Sequence, residues 1–233
     1  MSARDAIPGR MLSISVRECR MFVERILLTC RLPSGYVHGV REAVFLSEGL
    51  GLGGLRHLLE CHATLRMDGF EHLRVREKAD GDLHVDGAGL HAWILLPTVV
   101  DLAVDGARRL GRAGVTVTGV ASPAELGVAS ALARRQAAVI EARDGRLEAR
   151  NAPHPRTAEQ WDPILHRALR NGYAVEETLW REVHRLANTA LAPDSVQSRR
   201  HAGPVILRDD GTLQGRVPQD DDFDMNMLKK VNG

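Results

Sequence analysis

The chain has 233 residues, of which 44% are hydrophobic and 26% are charged, and its formal net charge is +1. This length can bury a substantial core, and the composition is that of an ordinary soluble globular protein. A charge this close to zero gives no electrostatic basis for binding nucleic acid or an anionic membrane. An aromatic content of 4% is also too low for a base-stacking surface. No apolar run reaches membrane-spanning length, and residues 1–10 lack the apolar segment of a signal peptide.

The three cysteines, Cys19, Cys30 and Cys61, form no CxxC pair. Three isolated thiols cannot make the disulfide framework of a small secreted domain. We therefore expect the protein to work in a reducing cytoplasm.

The first third of the chain is predicted to be helical after a loose N-terminus at residues 1–12. Ser15-Val16-Arg17-Glu18 has the form of a capping box and predicts a helix up to Thr29. Further helices are predicted at residues 37–47 and 55–65, and the loops between them are short. Together these segments predict a three-helix lobe at residues 13–68.

Beyond Leu73 the pattern alternates as in β-strands, and Asp-Gly turns at Asp80, Asp144 and Asp210 each predict a hairpin. Between the first two turns, the sequence predicts a helix at residues 95–110 and a strand at residues 115–120. A helix opened by Ser122-Pro123 follows, and then a strand at residues 137–140. A strand–helix–strand crossover combined with hairpins indicates a mixed sheet.

Two more helices are predicted at residues 157–170 and 175–191, and residues 219–233 form an acidic tail with four aspartates. The predicted fold class is therefore α/β (α+β), with a helical lobe and a mixed β-sheet covered by helices. We expect a single domain at residues 13–218, with its α/β core at 69–218.

Two segments resemble a known enzyme family. The opening SISVRECRMFVERILLTCRLP and the central Val85-Asp86-Gly87, helix and GVTVTGVASPAELG stretch resemble the NAD(P)-dependent malate, sulfolactate and ureidoglycolate dehydrogenases. The resemblance covers about residues 13–142 and implies that family's non-Rossmann fold. The closing pattern Ala190, Pro193, Ser195, Ser198, Arg199, Ala202 and Gly203 resembles a bacterial family of unassigned function, which is similar over more of the chain.

The departures from the dehydrogenases fall at the positions that carry their chemistry. Their Ser-His-Gly triplet, whose histidine moves a proton during hydride transfer, corresponds here to the glycine-rich segment 51–57. Their second histidine corresponds to Glu125. Their nicotinamide-binding segments have no counterpart, so the resemblance implies altered or lost hydride chemistry. We expect no tightly bound nicotinamide cofactor.

The candidate catalytic residues are Glu125 and His201, and the candidate substrate-binding residues are Ser198, Arg199 and Arg200. Serine hydroxyls beside two guanidinium groups and an imidazole suit a carboxylate or a phosphate. The bland alternatives are a solvated loop at residues 195–203 and, for Glu125, the third position of a capping box begun by Ser122.

Three other patterns favour structural interpretations. The glycine-rich segment 49–54 follows a helix and has no lysine-serine sequel, which favours a close-packed helix–helix turn over a phosphate loop. His57 and His62 are five residues apart, an awkward spacing for two ligands on one helix face, so no metal site is expected. The aspartates of the tail lack the spacing of a calcium loop.

The sequence thus predicts a small-molecule enzyme for an anionic metabolite on a reduced dehydrogenase-like scaffold. The alternative is a non-catalytic partner subunit or a metabolite-binding protein for a metabolic enzyme. A homodimer is expected because Phe22, Ile26, Leu179 and Val183 mark apolar helix stripes that a small sheet would not cover.

Overall fold

The computed structural model describes residues 9–191, 205–207, 210 and 212–215. The chain divides into two units, Met1–Ala190 and Leu191–Gly233, whereas the sequence places the end of the domain at residue 218. In chain order the elements of the first unit are β1 (Met11–Ile14), α1 (Val16–Thr29), α2 (Ser34–Gly49), α3 (Gly54–Cys61), β2 (Arg74–Glu77), β3 (Leu83–Asp86), α4 (Ala92–Leu110), β4 (Arg112–Thr118), α5 (Ala129–Arg134), β5 (Ala138–Arg143), β6 (Arg146–Asn151), α6 (Ala158–Trp161), α7 (Pro163–Asn171), β7 (Tyr173–Glu176) and α8 (Glu177–Ala187).

The second unit contains an antiparallel pair of strands, β8 (Val205–Leu207) and β9 (Leu213–Gly215). They flank the turn predicted from Asp210-Gly211. The predicted acidic tail at residues 219–233 lies outside the described residues.

A mixed sheet of five strands forms the centre of the first unit, in the order β2-β3-β4-β6-β5. The hairpins at Asp80-Gly81 and Asp144-Gly145 are confirmed as β2–β3 and β5–β6. Strands β3 and β4 are parallel, and α4 connects them. The sequence-predicted crossover from β4 to β5 also exists, but β6 lies between these two strands.

Helix α4 covers one face of the sheet, where apolar strand residues are buried beneath it. It packs against β4 and β6, where Val115, Val117 and Leu147 are buried. Gly106 permits the close approach, because a Cβ atom there would lie 2.7 Å from the Cβ of Ala113. Burial of apolar side chains between sheet and helix is the main driving force for this arrangement.

The three N-terminal helices lie where the sequence predicts helices, although α3 ends at Cys61 and a 3₁₀ turn at His62–Thr64 follows it. Ser15 and Glu18 form the complete capping box at the start of α1, and the Glu18 amide donates to Ser15 Oγ at 3.2 Å. The glycine-rich segment is a close-packed turn, since a Cβ on Gly54 would lie 2.3 Å from the Val44 carbonyl oxygen. Gly51 and Gly53 have φ values of 78° and 76°, which glycine adopts without strain.

Three expectations are wrong at the ends of the unit. Met11 and Leu12 were assigned to a loose terminus, but they belong to β1, which pairs antiparallel with β7. The helix predicted at residues 157–170 is divided at Asp162-Pro163, because proline cannot continue the hydrogen-bond ladder of α6. The helix predicted from Val175 begins only at Glu177, since the residues before it form β7.

The apolar stripes taken as a sign of a dimer are buried within the chain. Helices α1 and α8 pack against each other, and the four stripe residues, Phe22, Ile26, Leu179 and Val183, are each at most 9% exposed. These stripes therefore give no reason to expect a dimer, and the dimer itself stays a prediction.

Candidate functional site

Two loops meet at the carboxyl ends of the parallel strands β3 and β4. The Gly87 amide donates to the Thr118 carbonyl at 2.8 Å, and the Gly89 amide donates to the Gly119 carbonyl at 2.6 Å. Ala121 continues the pairing by donating to Leu90 at 2.9 Å. The carboxyl ends of parallel strands are a frequent place for ligand sites in α/β proteins. Here they bring the residues after β3 next to those after β4.

The loop after β3 ends at His91, which caps helix α4. The His91 Nδ1 atom accepts a hydrogen bond from the Trp93 amide at 3.2 Å, so the helix begins with an imidazole acceptor. Histidine is an uncommon N-cap residue; serine, threonine, aspartate and asparagine are preferred at this position. Burial, together with the neighbouring His57, lowers the pKa of the His91 imidazole to about 4. His91 is therefore neutral at physiological pH.

The loop after β4 supplies Glu125. It lies in a 3₁₀ turn at Pro123–Val128 and is only 5% exposed. Its Oε2 atom accepts a hydrogen bond from the Trp93 indole Nε1 at 2.7 Å. This is a buried, charge-assisted hydrogen bond of the kind that fixes a carboxylate in one orientation.

The capping interpretation of Glu125 is wrong. Ser122 has φ 56° and ψ 57°, a left-handed conformation, and its side chain does not cap the turn. The Glu125 amide bonds to the Ser122 carbonyl instead, at 3.0 Å. Because its backbone is turned in this way, the glutamate side chain is directed into the interior, towards Trp93.

Helix α3 brings two more side chains to the same place. His57 and Cys61 are four residues apart and therefore share one helix face. The Nε2 atoms of His57 and His91 are 3.0 Å apart. Since His91 Nδ1 is an acceptor, its proton is on Nε2, and this Nε2–H donates to His57 Nε2.

The buried thiol completes the cluster. Burial, with the nearby Cys30 and Glu125 adding to it, raises the pKa of Cys61 to about 12. Cys61 is therefore a protonated thiol and not a nucleophile in this state. We call His57, Cys61, His91, Trp93 and Glu125 the histidine–glutamate cluster.

Trp93 holds the histidine–glutamate cluster together. It is fully buried, and its ring centroid lies 5.0 Å from that of His57 and 4.7 Å from that of His91. His57 is the member that reaches solvent, with 24% of its side chain exposed. In the part of the chain that the structure describes, no arginine or lysine bonds to any of the five residues.

The sequence prediction located one member of this cluster. Glu125 was named as a candidate catalytic residue, whereas Ser198, Arg199, Arg200 and His201 lie outside the described residues. The prediction of no metal site rested on the absence of H-E-x-x-H and H-x-H motifs, on the absence of Cys/His pairs at the usual zinc spacings, and on the spacing of His57 and His62. The spacing of four between His57 and Cys61 was the signal that was missed, and His91 joins them from 34 residues further along.

Comparisons with known proteins assign no family. No family model matches the chain, and no curated protein matches it in sequence. Solved structures resemble it in part, and two of them are malate dehydrogenases. One is a malate dehydrogenase from Entamoeba histolytica, with 15% identity, a TM-score of 0.40, and coverage of 56% of this chain and 38% of that one. The other is a malate dehydrogenase from Pyrococcus horikoshii, with 13% identity, a TM-score of 0.44, and coverage of 59% and 41%.

The chain thus matches about two fifths of the length of these enzymes. At this level of similarity, function has to be inferred from the chain's own side chains. Within the described residues, no helix has both the length and the apolar character that crossing a membrane requires.

Proposed function

We propose that this chain is a small-molecule enzyme whose site is the histidine–glutamate cluster. The observation that carries the proposal is the meeting of two imidazoles and a buried carboxylate at the carboxyl ends of β3 and β4. Imidazole and carboxylate are the groups that most often transfer protons in enzymes. The scaffold is dehydrogenase-like in this proposal, and its hydride chemistry is altered or lost.

The proposed substrate is a small anionic metabolite. Glu125 is the proposed catalytic group of the cluster. Ser198, Arg199 and Arg200 stay the predicted substrate-binding residues, because their hydroxyl and guanidinium groups suit an anion. Guanidinium groups bind carboxylates and phosphates through paired hydrogen bonds. His201 is the second proposed catalytic group, because imidazole titrates near neutral pH.

A second candidate is a non-catalytic binding protein or partner subunit. The observation in its favour is the burial of the cluster, because Trp93, His91, Glu125 and Cys61 are each at most 9% exposed. Substrate would reach only His57 without a rearrangement. A homodimer or a place in an enzyme complex belongs to this proposal, and light scattering tests it. A cytoplasmic location is supported by three cysteines that are all free thiols.

Thermal shift measurements with small carboxylates, hydroxy acids and phosphates test the small-molecule proposal. A ligand that binds only the folded state raises the melting temperature, by an amount that reflects about 2.7 kcal/mol at a hundredfold excess over its Kd. We expect at least one such anion to stabilise the wild-type protein.

The matched variants are Glu125→Gln, which changes the buried carboxylate, and Glu71→Gln, which changes an exposed one. The ligand shift should fall in Glu125→Gln and persist in Glu71→Gln. Equal shifts in both variants would remove Glu125 from the site. If no anion stabilises the wild-type protein, the small-molecule proposal is wrong.

A further inference from the structure

We propose that His57, Cys61 and His91 form a binding site for one divalent transition-metal ion, of which zinc is the reference case. This inference rests on the proposed function in one respect only: it places a cofactor in the same cluster. The two proposals can fail separately, because metal binding does not require the small molecule.

Convergence of the ligand atoms is the first observation. One donor atom from each of the three residues lies within 4.8 Å of the other two. Two donors on one tetrahedral zinc are about 3.3–3.6 Å apart, given bond lengths of about 2.0–2.3 Å. The His57–His91 nitrogen separation of 3.0 Å would have to open only slightly. The donors that are farther apart, by up to 4.8 Å, would have to approach one another.

The fold fixes the three residues before any ion arrives. His57 and Cys61 lie on successive turns of α3, so the helix sets their separation. The backbone of His91 is held at the start of α4 by the pairing of its loop with the loop after β4. A preformed site loses less conformational freedom on binding than one assembled from mobile chain.

The charge balance of the cluster also favours a cation. Glu125 is buried, and in the described part of the chain its only hydrogen-bond donor is the Trp93 indole. A buried carboxylate is costly unless a positive charge or several donors compensate it. A divalent ion bound nearby would supply that charge, with Glu125 acting from outside the set of ligands.

Metal binding requires the loss of one proton and the movement of another. The Cys61 thiol loses its proton to solvent and forms the metal–sulfur bond, because a coordinating thiol is deprotonated. The Nε2 proton of His91 must move to Nδ1 before Nε2 can bind the ion. Nδ1 can then no longer accept from the Trp93 amide, so metal binding removes the imidazole cap of α4. The hydrogen bond that is lost is a single long one of 3.2 Å.

Three protein ligands would leave a fourth position open. Catalytic zinc sites have this composition, with water or substrate in the open place, whereas structural sites are closed by four protein ligands. An open position on a cation would bind an anionic oxygen directly. The metal would thus provide the positive charge that the described part of the cluster lacks.

Titration of the metal-free protein with Co²⁺ and then Zn²⁺ tests the inference. We expect one equivalent of Co²⁺ to produce the visible bands of a four-coordinate ion and a near-ultraviolet thiolate-to-cobalt band, and Zn²⁺ to abolish both. Cys61→Ala should remove the thiolate band. His57→Ala and His91→Asn should each weaken zinc binding more than about a hundredfold, since even changes around the ligands cost about ten- to a hundredfold.

One conservative ligand variant and two controls separate ligation from folding. His91→Asn keeps a side-chain acceptor at the cap of α4, His62→Ala removes the neighbouring imidazole, and Cys19→Ala removes a thiol buried elsewhere. Zinc affinity should be unchanged in the last two variants. Should a ligand variant fail to fold, the thiolate band of the wild-type protein decides by itself.

Binding without a thiolate band, or binding that Cys61→Ala leaves intact, would overturn the inference, as would no binding at micromolar Zn²⁺. Repeating the anion thermal shifts on metal-free protein separates the two proposals. Anion binding that survives complete failure of metal binding leaves the proposed function standing. Metal binding without any anion response would leave the metal site standing and show that the proposed function is wrong.

Discussion

Polar clusters of two different kinds lie among the described residues of the first unit. The second of them, which we call the ionic cluster, consists of Arg20, Arg41, Glu42, Arg135 and Asp162. Arg135 Nε donates to Asp162 Oδ2 at 2.8 Å, and Arg20 and Arg135 approach Glu42 at 3.3 and 3.5 Å. Each charge here faces an opposite charge, whereas the histidine–glutamate cluster combines a carboxylate, a thiol and two imidazoles, and no arginine or lysine of the described residues bonds to it.

The difference separates a structural role from a binding role. The ionic cluster links α2 and α5 to Asp162, which also caps α7 by accepting from the Leu165 amide at 2.8 Å. Its charged groups form ion pairs with one another, although Arg20 Nε, Arg41 Nε and Glu42 Oε1 are buried without a hydrogen-bond partner among the described residues. In the histidine–glutamate cluster, hydrogen bonds join indole to carboxylate and imidazole to imidazole, and the imidazole and thiol side chains are groups that bind metal ions. We therefore assign stability to the first and ligand binding to the second.

The largest effect on stability is expected for Asp162→Ala. This variant leaves the half-buried guanidinium of Arg135 without its closest carboxylate and removes the cap of α7. Breaking a buried pair costs about 3–5 kcal/mol, which lowers the melting temperature of a protein of this size by about 6–20 °C. The control is Asp105→Ala, whose exposed pair with Arg109 contributes about 0.3–0.5 kcal/mol. Equal melting temperatures for the two variants would contradict the assignment.

A smaller loss is expected for Trp93→Phe, which deprives buried Glu125 of the indole donor. An unsatisfied buried acceptor costs about 1–3 kcal/mol. The matched control is Trp161→Phe, because that indole also donates a hydrogen bond, to the Arg135 carbonyl at 3.2 Å, but is 42% exposed. Denaturant unfolding measures both. A loss in Trp161→Phe as large as that in Trp93→Phe would show that burial of Glu125 is not the cause.

For Arg199→Ala we expect an effect on ligand affinity and none on folding. Loss of a charge-assisted pair of about 1.5–3 kcal/mol weakens binding of the anion about ten- to a hundredfold. If Arg199 is instead a structural clamp, the melting temperature falls by several degrees and affinity is unchanged. Both quantities are measured on one variant. Unchanged affinity removes Arg199 from the proposed site.

NADPH should bind with a Kd weaker than about 10 μM, which corresponds to less than about 7 kcal/mol. The reason is that the sequence contains no dinucleotide-binding fingerprint. Fluorescence titration of the purified protein measures this. A tighter Kd would contradict this prediction and make hydride transfer a candidate activity.

The smallest effect is expected for a pair of variants that separates the capping role of His91 from its role as a metal ligand. His91→Ala removes the cap of α4, while His91→Asn keeps an acceptor for the Trp93 amide, so we expect the asparagine variant to be more stable by about 0.5–2 kcal/mol. Both variants should lose metal affinity. Equal unfolding free energies would mean that the 3.2 Å bond contributes nothing to the helix.

Local signals predicted much of the fold. The capping box of Ser15 and Glu18, the Asp-Gly turns and the helix stop at Gly111 were all visible, because each depends on neighbouring residues. The pairing of β1 with β7 joins residues about 160 positions apart. The sequence of such a short strand does not indicate which other strand it pairs with.

The site was predicted less completely for the same reason. Glu125 was singled out, but its capping role depended on Ser122 having extended backbone, which it does not have. The approach of His91 to His57 depends on the pairing of two loops after parallel strands. No spacing in the sequence records that pairing.

X-ray absorption spectroscopy of the zinc-loaded wild-type protein tests the central claim most directly, because it counts the atoms bound to the ion. Our account predicts one sulfur at about 2.3 Å, with the remaining ligands nitrogen or oxygen at about 2.0–2.1 Å. The sulfur contribution should disappear in Cys61→Ala and persist in Cys19→Ala. A zinc ion bound only by nitrogen and oxygen in the wild-type protein would contradict the assignment of the histidine–glutamate cluster as its site.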